Sequence, residues 1–216
     1  MTPITDGLLS ELQGQPLDRI SRQLGLSPAQ TQQAVTAALP LLVGSLGRNA
    51  QQPANAHALA GALERDHTGN DISSVLGAAL GGGGQGQKIL GHIFGERRDN
   101  AATGLGSATG LPPDKAQMLL KILAPVVMAY LAKRVYDKRK AGNEASAEPA
   151  PQVLGRELQR EEEQITRRGG LGGGLLGAVL DRNRDGQVDF RDLVGGLPSA
   201  TQGKGAQQGR PPAGLF

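Results

Sequence analysis

Residues Ala116–Ala132 read A-Q-M-L-L-K-I-L-A-P-V-V-M-A-Y-L-A. Wound as a helix, this stretch has almost no polar face, and a helix apolar on nearly every side belongs at the centre of a bundle. Lys121 and Pro125 interrupt it, and Met118 to Ala132 is too short to span a bilayer. The stretch therefore predicts the core of an all-α fold. Strand content is expected to be negligible, because no part of the chain alternates apolar and polar residues with β-branched or aromatic enrichment.

The same pattern occurs earlier in the chain. Gly25-Leu26-Ser27-Pro28 pairs with Gly110-Leu111-Pro112-Pro113 at an offset of 85, which persists through Gln32/Gln117, Pro40/Pro125 and Leu46/Leu131. A second stretch, Leu59–Asp66, pairs with Leu176–Asn183 at an offset of 117. The change in offset calls for an insertion in the second copy, and the charged stretch Asp137–Gly170 fits it. Ser27, Pro28 and Gln30 form a capping box with proline at the first helical position. The first helix is expected to run from Pro28 to about Leu39, with a kink or restart at Pro40. Leu41, Leu42, Val43 and Leu46 carry the apolar face onward to a stop at Gly47.

These landmarks divide the chain. Residues 1–16 form an N-terminal segment, 17–100 the first helical repeat, and 101–136 the first part of the second. Residues 137–170 are the insertion, 171–197 complete the second repeat, and 198–216 form a disordered tail. Within the insertion, Ala141–Pro151 has linker composition. Arg156–Arg168 is a helix candidate whose apolar residues are Leu158 and Ile165, with a Glu163–Arg167 pair at favourable spacing. So thin a stripe docks weakly on a partner helix or stays solvated. The glycine runs 81–84 and 169–174 are read as hinges, not phosphate loops, because no Lys-Ser/Thr pair or strand accompanies them.

Composition narrows the function classes. The chain has 216 residues with 38% hydrophobic content, two Tyr, three Phe and no Trp, so the core must be aliphatic. There is no Cys, which removes disulfide and thiolate chemistry and agrees with a reducing compartment. The N-terminus lacks the basic and apolar regions of a secretory signal, so a cytoplasmic location is expected. The net charge of +3 is modest. Basic residues gather at Lys133, Arg134, Lys138, Arg139 and Lys140, where they could meet nucleic acid or an anionic surface. Only Tyr136 supplies an aromatic ring for stacking, so a solvated helix end is the preferred reading.

The tightest chemical signal lies near the C-terminus. Asp181–Asp192 reads D-R-N-R-D-G-Q-V-D-F-R-D. Oxygen side chains fall at positions one, three, five, nine and twelve: Asp181, Asn183, Asp185, Asp189 and Asp192. Gly186 supplies the sharp turn at six, and the Gln187 backbone carbonyl is a further oxygen at seven. Alternate spacing lets a tight loop aim these groups at one hard cation, and calcium is the expected ion. Arg182, Arg184 and Arg191 would point outward and offset part of the crowded negative charge. Asp, Asn and Gly also dominate metal-free turns, the simpler reading of the same residues. The pattern resembles the EF-hand loop, and with Asp at twelve and Leu193 following it looks most like the dockerin type.

The counterpart loop in the first repeat, Glu64–Val75, keeps Glu64, Asp66, Thr68 and Gly69 but has Ile72 and Val75 at the closing positions. Asp71 would be a poor substitute ligand. His57, His67 and His92 match no zinc spacing, and His92 is expected half-buried on a helix. Glu96–Asp99 reads as a solvated helix end. No nucleophile elbow, acid/base pair or nucleotide fingerprint occurs, so no catalytic residue is assigned.

Four phrases together carry a family resemblance: Ile20–Thr31, Ala38–Ala50, Ala62–His67 and Ile89–Gly95. They resemble the YidB-like family, a bacterial domain of unknown function numbered 937, over roughly Leu17–Leu197. The resemblance implies a multihelical, cytoplasmic bacterial protein and brings no catalytic residues. The expected function is a non-catalytic, calcium-binding helical scaffold or interaction module, with a protein partner or self-association. The alternative is a nucleic-acid or anionic-surface binder using residues 133–140.

Overall fold

The computed structural model describes residues 3–66, 71–82, 85–141 and 150–168. Most of these residues are helical, and none of them is in a strand. The helices are α1 (Ile4–Glu11), α2 (Gln15–Leu24), α3 (Pro28–Ala50), α4 (Pro53–Asp66), α5 (Ile72–Leu80), α6 (Gln85–Phe94), α7 (Arg98–Thr109), α8 (Pro113–Ala141) and α9 (Ala150–Arg168). The 3₁₀ turn Gly95–Arg97 joins α6 to α7. No helix among the described residues is long and apolar enough to cross a membrane.

The repeat is visible in how its helices begin. Gly25 and Gly110 adopt left-handed φ values of 60° and 73° at the ends of α2 and α7. Glycine suits these positions because it has no Cβ to clash there. In both copies the next amide reaches back five residues: Leu26 N–H donates to Ser21 O (3.0 Å) and Leu111 N–H to Gly106 O (3.1 Å). A proline then opens the following helix, Pro28 in α3 and Pro113 in α8. The capping box is present at α3, where Ser27 Oγ accepts from Gln30 N–H at 3.3 Å and Gln30 Oε1 accepts from Ser27 N–H at 3.2 Å.

Helix α3 does not stop or restart at Pro40. It runs through to Ala50, with Gly47 buried inside it. Helix α8 likewise carries Pro125 in its interior. An internal proline leaves the carbonyl four residues earlier without its helical donor, and in α8 that carbonyl belongs to Lys121. The backbone of Gly86 in α6 comes against this oxygen, so closely that a Cβ on Gly86 would overlap it. Packing around the helices compensates the local defect and keeps both continuous.

The core is aliphatic and runs through both long helices. Leu119, Leu120, Leu123, Ala124, Val126 and Val127 of α8 are buried, as are Val35, Ala38, Leu39, Leu41, Leu42 and Val43 of α3. Phe94 is the only aromatic residue in the buried core among the described residues. Helix α3 packs against α1, α2, α4, α6, α7, α8 and α9; α8 packs against α2, α3, α4, α5, α6, α7 and α9. The central position expected for α8 is thus shared with α3. Met118, read as part of the apolar face, is 44% exposed.

Glycines on α6 offer a paired test. A methyl on Gly86 has backbone in its way, whereas a methyl on Gly91 meets nothing within 4 Å. Gly86→Ala should destabilise the protein by about 1–3 kcal/mol through overpacking. Gly91→Ala should stabilise it by roughly 0.5–1 kcal/mol through helix propensity. Urea unfolding of the two variants checks this, and equal effects would contradict the α6–α8 contact.

Candidate functional site

The loop residues Asp181, Asn183, Asp185, Gln187, Asp189 and Asp192 lie outside the described residues. Around the counterpart loop, Glu64 and Asp66 fall in α4, while Asp71 is the N-cap of α5 and accepts from Ser73 N–H at 3.1 Å. Thr68 and Gly69 lie outside the described residues. Among the described residues, no group of three or more His, Asp or Glu side chains is placed to hold a metal ion. His57 Nδ1 lies 2.8 Å from Pro53 O, and His92 is exposed where a half-buried position was expected. Glu96 lies in the 3₁₀ turn that follows the end of α6 and Asp99 in the first turn of α7, and both are exposed.

The most developed polar constellation is the seat of α9. This helix starts at Ala150, inside the stretch read as linker, and turns Ala150, Val153, Leu154, Leu158 and Ile165 inward. The two-residue stripe expected from Leu158 and Ile165 is therefore extended by a full apolar turn at its N-terminal end. Gly47 sets the approach of α9 to α3: a Cβ there would lie 3.0 Å from Leu158 O and 3.3 Å from the Glu162 Cβ. That close passage explains why Gly47 is buried in mid-helix, where sequence alone suggested a stop.

Three carboxylates on α9 meet three different positive features. Glu161, 4% exposed, accepts hydrogen bonds from Ile4 N–H (2.8 Å), Thr5 N–H (2.9 Å) and Thr5 Oγ1–H (2.6 Å). The first amides of a helix have no intrahelical acceptor, and Pro3 gives α1 no side-chain cap. A residue 157 positions away in sequence supplies one. Glu162 Oε1 lies 3.0 Å from Arg48 Nε of α3, close enough to pair although the N–H is not aligned for a hydrogen bond. Its other oxygen accepts from Gln51 Nε2–H at 2.9 Å. Glu157 pairs with Arg134 (3.4 Å), Lys138 and Arg160 (3.6 Å).

Much of the basic tract is absorbed here. Arg134 and Lys138 face Glu157 with side chains 18% and 24% exposed, and Lys133 lies 3.7 Å from Glu11. Arg134 and Lys138 are therefore not the freely solvated helix end expected from sequence, whereas Lys133, 57% exposed, is on the solvated side. The anticipated Glu163–Arg167 pair is present at 3.9 Å on the exposed side, where such pairs contribute about 0.3–0.5 kcal/mol. Between α4, α8 and α9 lies a cavity of about 260 Å³ lined by Ala60, Leu63, Val135, Tyr136 and Leu154. Its walls are mainly apolar, and Tyr136 is 54% exposed. Sequence reading missed Glu161 and Glu162 because a Glu-Glu-Glu run reads as solvated. Their spacing from Leu158 and Ile165 was the available signal, since it places Glu161 on the apolar face.

Glu157 makes the seat pH-sensitive. Burial pushes its carboxyl up, but the Lys138 hydrogen bond and charge, with Arg134 and Arg160, outweigh burial and hold it below the ordinary value of 4.5. A depressed folded-state pKa contributes stability that is present above the unfolded value and lost as pH falls through the folded one. Glu157→Gln should therefore be less stable than wild type at pH 7, and the gap should close on acidification below about pH 4.5. Urea midpoints measured across pH check this, and a gap independent of pH would contradict it.

The family described as bacterial protein of unknown function (DUF937) matches residues 6–134. This span is more than half of the chain and runs from α1 into α8, leaving α9 beyond it. It starts earlier and ends earlier than the resemblance read from the four phrases. No curated protein and no solved structure matches the chain. The chain belongs to the DUF937 family of bacterial proteins of unknown function.

Proposed function

We propose that this protein is a non-catalytic, calcium-binding helical scaffold or interaction module. The observation that carries the reading is the ligand order of Asp181–Asp192. Asp181, Asn183, Asp185 and Asp192 supply side-chain oxygens, Gln187 its carbonyl, and Asp189 a direct or water-mediated contact. Position supports the reading as well. Helix α9 is fastened to α1, α3 and α8 and ends at Arg168, with only the glycine run 169–174 and Leu175–Leu180 before Asp181. A cation there would order a segment tethered to the core. With no cysteine in the sequence, a reducing cytoplasm suits the protein. The alternative, binding of nucleic acid or an anionic surface through residues 133–140, has less support because Lys133, Arg134 and Lys138 already face carboxylates.

A single loop closed by Asp binds more weakly than a paired hand, in the range of about 10⁻⁵ to 10⁻³ M. Ligand that binds only the folded form adds about 2.7 kcal/mol of stability at a hundred times the dissociation constant. Calcium should raise the melting temperature of the wild type, magnesium should do less, and Asp181→Ala or Asp192→Ala should abolish the rise. Calorimetric titration detects binding even if ordering is local. No heat from millimolar calcium would reduce the loop to a turn.

A further inference from the structure

We draw no further inference here: the strongest candidate, the mainly apolar cavity between α4, α8 and α9 with Glu64 and Tyr136 among its lining residues, carries nothing because nothing in the structure shows what covers or fills it.

Discussion

Two helices that begin at proline and are buried on nearly every side through their middles, α3 and α8, must be hidden from water there, and the other helices are arranged to hide them. Each fully buried Leu, Ile or Val is favoured by about 1.5–3 kcal/mol over its exposed state. A dozen such side chains on these two helices outweigh any set of surface ion pairs. The absence of Trp and the scarcity of Phe and Tyr leave the core to short aliphatic side chains. Small residues at Gly47, Gly86 and Gly106 then let backbones come close enough to fill the space. The two internal prolines are tolerated because both helices are enclosed by packing and do not rely on their own hydrogen bonds alone.

Helix α9 completes the enclosure by a different balance. Its apolar stripe supplies the larger favourable term, yet it also buries a carboxylate. A buried charge without partners costs several kcal/mol, and Glu161 avoids that cost through three donors from the start of α1. The first and last described helices are thereby joined by one side chain. Removing the acid would leave the α1 amides uncapped, and removing α1 would strand the charge. Such a pair contributes less to stability than to register, since it is satisfied in one placement of α9 on α3.

Much of the repeat architecture was legible in sequence. Gly25, Pro28, Gly110 and Pro113 mark real helix ends and starts, because turn and cap chemistry is local. The buried run of α8 was legible because its apolar residues leave no face for water. Gly47 misled, since a glycine stop is a local expectation that tertiary packing overrode, and at Pro40 the helix continues without a restart. Half of the α9 seat escaped for a related reason. Ala150 falls in the stretch of linker composition, Val153 and Leu154 fall between that stretch and the helix expected from Arg156, and the partner of Glu161 is at the opposite end of the chain. The ligand order of Asp181–Asp192 is the reverse case: it is written in one short segment, and the described residues neither include it nor bear on its chemistry.

The most direct measurement of the account is amide hydrogen exchange at Ile4 and Thr5 in the full-length protein. These are the first two amides of α1, which have no intrahelical acceptor and exchange quickly in an uncapped helix. With the Glu161 carboxylate seated on them, both should be protected to a degree comparable with the interior of α1. Exchange at the rate of a free peptide would contradict the seating of α9, and with it the closure of the fold described here.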